Sequence, residues 1–301
     1  MTQRRILVVF NPNAGKKAGL PTNTNEEPEL RRALSDHDLE AEVFVSPDQE
    51  SATERVRLAV AEGYDVVAAA GGDGTVRSVA FELLGTSTAL GILPAGTAMN
   101  VARSLGIPRE LDAAAGLLGS GEIRAIDVGW ARDRPFLEMA SIGLNAEVLE
   151  IAEKAEGGRL GEVARLIREA LRSRPTRVLL ELDGREIRAR ALGLAVAVGP
   201  YAGVGITVAP EARLDDGKLD VVVFEGFRRL ELVRHLVAAI GGRRPERRVT
   251  THRAARVRVA SRSPLSIRID SADAGRTPID LTVRPGYLRV IAPSRRGDRR
   301  R

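Results

Sequence analysis

The sequence predicts an α/β protein with two domains, an N-terminal domain built on a parallel sheet and a C-terminal domain rich in antiparallel strands. In the first 127 residues, short apolar runs alternate with amphipathic stretches, which is typical of a parallel sheet covered by helices on both faces. After that point, β-like segments separated by turn signals dominate. The length of 301 residues is about twice the ~150 residues of an average domain, which also favours two domains.

In the N-terminal part, apolar runs predict the strands, and apolar residues at helical spacing predict the helices. The predicted strands are Ile6–Phe10, Leu39–Val45, Asp65–Ala70 and Ala89–Leu93, and the predicted helices are Glu29–Ser35, Ser51–Glu62, Thr75–Leu84 and one that starts at Thr97. Gly63 is expected to end the second helix. The alternation of strand and helix continues up to the stretch Ala125–Trp130, where the pattern changes.

The C-terminal part is predicted to be mostly antiparallel. The predicted strands are Phe136–Ser141, Arg177–Leu182, Glu186–Val198, Leu219–Phe224, Arg256–Ala260, Leu265–Asp270, Ile279–Val283 and Tyr287–Ile291, with helical stretches at Ala146–Arg172 and Phe227–Ile240. The pair Asp183-Gly184 predicts a tight hairpin turn. We therefore expect an α/β domain at 1–127, a β-rich domain at 128–293 and a basic tail at 294–301.

The composition excludes several kinds of chemistry. The chain has no cysteine, which excludes disulfides, thiolate metal sites and cysteine nucleophiles, and its three histidines are too far apart for a zinc-binding HExxH helix. The longest apolar stretch, Ala191–Val198, is shorter than the ~20 residues of a bilayer-spanning helix. The apolar run Ile6–Phe10 is too short for the core of a signal peptide. We therefore expect a cytoplasmic protein with no transmembrane span.

The net charge of +6 is concentrated in two arginine-rich regions, residues 243–258 and the tail 294–301. Such regions can attract nucleic acid or anionic lipid, but a solvated tail also explains the second one. Aromatic residues make up only 3% of the chain, so stacking on bases is not favoured and no nucleic-acid partner is expected.

Three loops that follow predicted strands are candidates for binding phosphate. They are Asn11-Pro12-Asn13-Ala14-Gly15, Gly71-Gly72-Asp73-Gly74-Thr75 and Leu93–Asn100. Ligands of parallel sheets bind at the carboxyl ends of strands, glycines let backbone N–H groups approach phosphates, and a helix N-terminus adds partial positive charge. Each loop alone could be an ordinary turn, with Thr97 as a helix cap. Their occurrence at successive strand ends favours a nucleotide site.

Two acidic positions stand out. Asp73 lies among glycines, where a magnesium ion could bridge it to a triphosphate. Since the fold does not need a carboxylate there, the sequence predicts that Asp73→Ala abolishes ATP turnover and leaves thermal stability nearly unchanged. The turn Asp215-Asp216-Gly217-Lys218 could hold a hard cation through Asp216 and free carbonyl groups, or it could be a plain hairpin turn.

Taken in order, these motifs resemble those of the diacylglycerol kinase catalytic-domain family, which includes sphingosine kinases and bacterial lipid kinases. The resemblance runs nearly end to end and includes Ser141-Ile142-Gly143-Leu144, Tyr201-Ala202-Gly203 and Ala209-Pro210. It implies an NAD kinase-like and diacylglycerol kinase-like α/β domain at 1–127 that binds ATP, followed by a β-sandwich-like domain at 128–293 that binds the lipid substrate. The cofactors it implies are ATP and Mg²⁺.

The resemblance also implies individual site residues. The ATP contacts would be Asn11, Pro12, Asn13, Ala14, Gly15, Ser46, Gly71, Gly72, Asp73, Gly74, Thr75, Val76, Arg77 and Thr97, of which Asp73 would also be catalytic. A structural Mg²⁺ would be held by the Asp216 carboxylate and the backbone carbonyls of Arg213 and Lys218.

The chain departs from the family pattern in two places. Arg77 replaces the asparagine that usually follows GGDGT-x, and Ala272 stands where the family has the glutamate taken as the general base. We predict that Asp273 substitutes for that base, with Asp270 as the weaker candidate, and both aspartates could instead be solvated turn residues. Asp273 is expected on a turn between strands.

The resemblance implies an ATP-dependent kinase that phosphorylates a lipid hydroxyl, acting in lipid metabolism at the inner face of a membrane through peripheral contact. A kinase for a soluble substrate, like the NAD kinases, and a catalytically impaired nucleotide- or lipid-binding protein are the alternatives. The identity of the lipid and assembly into a homodimer stay open.

Overall fold

The structure is a computed structural model of the chain, and it describes residues 4–13, 16–17, 20–21, 26–96, 98–143, 146, 174–203, 205–225, 249–270 and 272–294. Apart from Ala146, the two long helical stretches predicted for the C-terminal part lie outside the described residues, and so does most of the arginine-rich tail. The described residues divide into two compact units, which lie within 1–126 together with 286–301 and within 127–285.

The first unit contains a parallel sheet and five helices among its described residues. Its elements are β1 Ile6–Phe10, β2 Lys16–Lys17, β3 Leu20–Pro21, α1 Glu27–Asp36, β4 Ala41–Val45, α2 Gln49–Ala61, β5 Val66–Gly71, α3 Asp73–Glu82, β6 Ala89–Pro94, α4 Asn100–Leu105 and α5 Leu111–Ser120. The central strands run in the order β6-β5-β1-β4, all parallel. The predicted α/β class is confirmed.

Burial and capping explain why these segments form. Every residue of β1, β5 and β6 is buried, as expected for parallel strands covered on both faces. Helices α2 and α3 contact each other, and α1 contacts α5. A capping box between Glu26 and Glu29 starts α1, and the Asp48 carboxylate caps α2 by accepting from Ser51 N at 2.8 Å.

The second unit is antiparallel. The strand β7 Glu122–Ala131 leads into it, and its further elements are β8 Arg134–Phe136, β9 Met139–Gly143, β10 Thr176–Leu182, β11 Arg185–Ala197, β12 Tyr201–Ala202, β13 Ile206–Thr207, β14 Leu219–Glu225, β15 Val249–Ala254, β16 Arg256–Ser261, β17 Ser266–Ile269, β18 Ala272–Arg276 and β19 Ile279–Ala292. Strand β11 pairs with β10 through its first half and with β9 and β14 through its second half. A bulge between Ala191 and Gly193 separates the two halves in the β14 pairing.

The predicted hairpin turn is present: Asp183 and Gly184 both have positive φ, and Leu182 pairs with Arg185. Three predicted strands differ from the observed ones. The segment Phe136–Ser141 is broken, because the backbone N–H groups of residues 137–139 bind the Asp270 carboxylate. The two predicted strands at 279–283 and 287–291 are one strand, since Gly286 with φ of 60° carries the chain on without a turn.

The elements that were not predicted include helix α5 and the strands β2, β3, β7, β12, β13, β15 and β18. Helix α5 is separate from α4, because Gly106 takes a positive φ of 72° and ends α4. Strand β18 includes Ala272 and Asp273, so the expectation that Asp273 lies on a turn is wrong. It pairs antiparallel with β17, from Ser266 opposite Arg276 to Ile269 opposite Ala272, and so adds a strand at the end of the sheet order.

Residues 286–293 were expected in the second domain, but they group with the first unit, where Val290 of β19 pairs in parallel with Leu90 of β6. The assignment of ATP to residues 1–127 and of the lipid to 128–293 stays a prediction. Within the part of the chain that the structure describes, no helix combines the length and the apolar composition that crossing a bilayer requires.

Candidate functional site

The carboxyl ends of four parallel strands meet at one edge of the first unit, and the loops that follow them are joined by backbone hydrogen bonds. Ser46 N, after β4, donates to Phe10 O at 2.8 Å, and Asn11 N, after β1, donates to Ala70 O at 3.0 Å. Ala95 N, after β6, donates to Gly71 O at 3.0 Å. The ladder of the sheet thus continues into the loops, which holds the predicted binding segments side by side.

Packing leaves no room for a side chain at Gly71 of the GGDGT loop or at Gly96 of the loop after β6. A Cβ on Gly71 would meet Thr75 Oγ1 at 2.5 Å, and a Cβ on Gly96 would meet Gly72 Cα at 2.8 Å. The loop after β5 and the loop after β6 therefore approach each other backbone to backbone. Asn11 Nδ2 donates to Thr75 Oγ1 at 3.0 Å, which ties the first loop to the same turn.

A cleft of about 610 Å³ opens at this edge and lies wholly in the first unit. Its lining includes Asn11, Asn13, Ser46, Gly72, Gly74, Thr75 and Arg77 from the predicted ATP contacts. Helix α3 begins beside it, and the first N–H groups of a helix have no carbonyl partner within the helix. The cleft therefore combines amide donors, a helix N-terminus and a cationic side chain, which together suit an anionic phosphate.

Other predicted contacts do not line this cleft. Val76 is buried in the core with 2% exposure, and Gly71 is buried at the end of β5. Pro12 is half-buried in the turn after β1 and is not among the lining residues. Ala14, Gly15 and Thr97 lie outside the described residues.

Asp73 has a structural role that the sequence did not reveal. Its Oδ2 accepts from Met99 N at 2.8 Å and its Oδ1 accepts from Asn100 N at 2.7 Å. Met99 precedes α4 in a left-handed conformation with φ of 50°, which is uncommon for a residue other than glycine. The expectation that the fold does not need this carboxylate is therefore wrong. The predicted role of Asp73 toward metal and phosphate stays a prediction.

Ser46 is buried, and its hydroxyl donates to the carbonyl of Asp48 in a short contact. The pKa of Asp48 is lowered because its carboxylate accepts from the backbone and the side chain of Ser51. Ser46 thus holds the N-terminal end of α2 at the wall of the cleft. Its hydroxyl oxygen still has acceptor capacity for a ligand.

Arg77 differs from its neighbours in the cleft. It is half-buried on α3, and its side chain makes no hydrogen bond or ion pair with the residues that the structure describes. A guanidinium facing a cleft without a carboxylate partner is a donor that suits phosphate oxygens.

The predicted metal residues of the second unit lie around the turn 215–218. The Asp216 carboxylate accepts from Lys218 N at 3.0 Å and forms a close ion pair with Arg253. Asp127, which the sequence analysis did not single out, is buried and accepts from Gly217 N at 2.6 Å. Arg213 pairs with Asp215 at 3.5 Å. Among the described residues no group of three acidic or histidine side chains could hold a metal, so a cation here would depend on backbone carbonyls.

Asp220 lies next to this turn and was also missed by the sequence analysis. Its side chain is buried, its Oδ2 accepts no hydrogen bond from the described residues, and Arg253 Nε lies 3.6 Å from its Oδ1. Burial, followed by the negative charge of Glu211, raises the pKa of Asp220 to about 6. An orphaned, buried carboxylate oxygen beside Asp216 is an observation that fits a hard cation at this place.

The raised pKa predicts how stability depends on pH. The ordinary pKa of an aspartate side chain is 3.8. The contribution of Asp220 to the free energy of unfolding is therefore fully present below about pH 4 and is lost as the pH rises through 6. In metal-free buffer, the free energy of unfolding of the native protein should fall by about 2–3 kcal/mol relative to that of Asp220→Asn between these two pH values. Urea unfolding of both proteins from pH 4 to pH 7 measures this difference, and curves that stay parallel would contradict the assignment.

The two candidate bases have different surroundings. Asp270, at φ of 50°, accepts from Leu137 N at 3.4 Å, Glu138 N at 3.1 Å and Met139 N at 3.2 Å, so its carboxylate is engaged in the fold. Asp273 is exposed on β18, and its Oδ1 accepts from Gly275 N at 2.7 Å. Its Oδ2 makes no hydrogen bond with the residues that the structure describes.

Comparison with known proteins gives a consistent result over the whole chain. Residues 5–131 match the model of the diacylglycerol kinase catalytic domain, and residues 138–292 match the model of the YegS C-terminal NAD kinase beta sandwich-like domain. The chain is 32% identical over 308 residues to a Pseudomonas aeruginosa protein named "Probable lipid kinase YegS-like", with 98% of this chain and 96% of the relative covered.

The chain is also 26% identical over 302 residues to a protein of Bacillus subtilis named "Diacylglycerol kinase", and the alignment covers 98% of both. Its fold is similar to the crystal structure of a diacylglycerol kinase from Bacillus anthracis, with a TM-score of 0.73 and 21% identity over 97% of this chain and 98% of that one. This likeness shows the fold, an α/β unit followed by a β-sandwich-like unit.

Proposed function

Because the chain belongs to the diacylglycerol kinase catalytic-domain family, whose general activity is ATP-dependent phosphotransfer, we propose that it transfers the γ-phosphate of ATP to the hydroxyl of diacylglycerol or a related lipid. The observation that carries the proposal is the cleft of the first unit. There, the loop after β5, the start of α3 and the guanidinium of Arg77, which has no ion-pair partner among the described residues, face one space.

In this proposal the phosphates of ATP lie against the backbone N–H groups at the start of α3, and Arg77 binds their oxygens. Asn11 and Thr75, already hydrogen-bonded to each other at 3.0 Å, position the first loop beside them. The proposed ATP contacts also include Asn13, Ser46, Gly72 and Gly74, which line the cleft. Because phosphoryl transfer depends mainly on positioning and charge stabilisation, such a site can contribute most of the rate.

The acceptor hydroxyl must lose its proton as the oxygen attacks the γ-phosphorus, while the bond from that phosphorus to the leaving oxygen of ADP breaks. Ala272 cannot take the proton, and the Asp270 carboxylate accepts three backbone N–H groups. Asp273 is then the proposed base. The alternative is an impaired kinase that binds ATP without turnover, and the exposed Ala272 favours it.

The experiment that tests the proposal measures binding and turnover separately. Titration calorimetry with ATP and Mg²⁺ reports the cleft, and transfer of labelled phosphate to a panel of lipids in mixed micelles reports the reaction. The panel includes diacylglycerol, a sphingoid base and phosphatidylglycerol. Binding together with turnover supports the kinase, binding alone supports the impaired protein, and the absence of ATP binding would overturn both.

A second part of the proposal is a structural Mg²⁺ held by the Asp216 carboxylate and by the backbone carbonyls of Arg213 and Lys218. When bound, the ion would neutralise the charge of Asp216 and Asp220. The ion would compete with Arg253 for Asp216, because the two side chains form an ion pair.

This site predicts a stability effect of Mg²⁺ that is separate from ATP. A saturating concentration of Mg²⁺ should raise the melting temperature of the native protein, since a ligand that binds only the folded state stabilises it. Asp216→Ala should remove this shift, whereas Asp280→Ala, which removes an exposed carboxylate elsewhere in the same unit, should keep it. Calorimetric melting with and without Mg²⁺ measures the shift. If Mg²⁺ does not change the melting temperature of the native protein, the turn is an ordinary hairpin turn and the proposed site is wrong.

A further inference from the structure

Three arginines form a row across neighbouring strands of the second unit. Arg177 of β10 pairs directly with Arg190 of β11. On the other side, Arg262 follows the end of β16, and its N donates to Arg177 O at 3.0 Å, so it continues the ladder between these two strands by one residue. All three side chains are exposed. Because directly opposite residues point to the same face of a sheet, we call Arg190, Arg177 and Arg262 the arginine row.

The arginine row has no counter-charge within the described part of the chain. None of its side chains makes a hydrogen bond or an ion pair there, and the only neighbouring pair is Arg188 with Glu186 at 3.8 Å. Like charges placed directly opposite each other destabilise an antiparallel pair. The described residues therefore give no reason for this arrangement, whereas an external anionic partner would.

The same face is balanced a few residues further along the strands. Glu181 pairs in register with both Glu186 and Arg258, and Arg258 forms an ion pair with Asp280 at 3.1 Å. At that end the order across the strands is Glu186, Glu181, Arg258 and Asp280, so acidic side chains accompany the basic one. The positive charge is concentrated at the end of the face that carries the arginine row.

One large apolar side chain lies beside the row. Leu179 is 36% exposed, and it stands two residues along β10 from Arg177, between Arg188 of β11 and Ala260 of β16. Basic side chains next to an exposed apolar residue are the composition by which proteins bind at the surface of an anionic bilayer. No aromatic residue occupies these positions, so the face offers nothing on which nucleic-acid bases could stack.

We infer that the arginine row, together with Leu179, is a surface by which the second unit docks on a membrane containing anionic phospholipid. The inference rests on the proposed function in one respect, because a kinase for a membrane lipid must reach its substrate at the bilayer. The guanidinium groups bind lipid phosphates, and Leu179 enters the interface between headgroups and acyl chains.

The test is co-sedimentation of the full chain with lipid vesicles in the absence of ATP. Vesicles of equal parts phosphatidylcholine and phosphatidylglycerol are compared with vesicles of phosphatidylcholine alone. The protein should bind the vesicles that contain phosphatidylglycerol more tightly. This preference should weaken as the salt concentration rises from ~0.01 M to ~1 M, because the screening length then falls from about 30 Å to about 3 Å.

The test variant is Arg177→Gln/Arg190→Gln/Arg262→Gln. Its partition onto anionic vesicles should fall roughly 100-fold, which corresponds to about 1 kcal/mol for each arginine. The matched control is Arg31→Gln/Arg32→Gln/Arg57→Gln, which removes the same charge from three exposed arginines that each face a carboxylate. It should bind like the native protein, and it keeps the same tail. Leu179→Ser should weaken binding by a smaller factor at every salt concentration.

The thermal unfolding of the test variant should occur at the native temperature or above it, because the opposed charges are gone. Equal losses in the test and control variants would overturn the inference and assign binding to net charge alone. Binding that is equally strong on neutral vesicles would also overturn it, and so would a stronger effect of the three substitutions on binding to DNA. Because the vesicle assay contains no ATP, a negative result in it would not contradict the proposed ATP site. Likewise, a failure to bind ATP would not change the result of the vesicle assay.

Discussion

Replacing Asp73 by alanine is expected to lower the free energy of unfolding by about 2–3 kcal/mol and to reduce ATP-dependent phosphotransfer at least about 100-fold. The stability loss arises because the carboxylate accepts from Met99 N and Asn100 N, at 2.8 Å and 2.7 Å, and both N–H groups would lose a charged partner. The activity loss arises because these bonds hold the loop after β6 beside Gly72, and a displaced loop no longer positions the phosphates.

The control for this result is a second aspartate with the same kind of bonds in the other unit. Asp183 accepts from Ala255 N at 3.1 Å and from Arg256 N at 2.8 Å. Asparagine at either position keeps one acceptor oxygen, so Asp73→Asn and Asp183→Asn should lose similar stability in urea unfolding. Only Asp73→Asn should also weaken ATP binding in calorimetry. If Asp73→Ala keeps native stability and loses activity, the carboxylate is needed by the chemistry alone; if it keeps both, the role proposed here for the loop is wrong.

The course of the first unit could be predicted because its sequence signals are local. Each buried strand is a run of apolar residues that ends in a turn former, and parallel strands necessarily bring those turns to one edge. The GGDGT loop was therefore located without a structure. The contacts of Asp73 could not be predicted, since Met99 lies 26 positions further along the chain and its left-handed conformation leaves no mark in the sequence.

In the second unit, register rather than pattern decides what a residue does. Alternation identified β10, β11 and β16, but only their pairing brings Arg177 opposite Arg190 and beside Arg262. The same limit applies to Asp270, whose three amide partners come from a segment more than 130 positions earlier in the chain. The break this causes after Phe136 interrupts what the sequence predicted as one strand.

Asp273→Asn is expected to reduce turnover by about 10²–10⁴-fold, the usual effect of removing a general base. The variant is well suited to the question, because asparagine can still accept the hydrogen bond from Gly275 N. Its amide, however, cannot take a proton from the lipid hydroxyl. Its stability should stay within about 0.5 kcal/mol of the native value, since the residue is exposed. The comparison is a labelled-ATP assay on the lipid found active in the panel.

Two further variants decide between the substitute base and an impaired kinase. Asp133→Asn removes another exposed carboxylate of the same unit and should leave turnover unchanged. Ala272→Glu places a carboxylate at the position where the resemblance puts the base glutamate of the family. If Asp273 is the base, Ala272→Glu should change the rate little in the native chain and should restore turnover to Asp273→Asn. An unaltered rate in Asp273→Asn, joined to a large gain in Ala272→Glu, would refute the substitution. Asp273 would then not accept the proton, and Asp270 is held by three backbone amides. The native chain would therefore transfer phosphate only through the positioning and charge of the proposed ATP cleft.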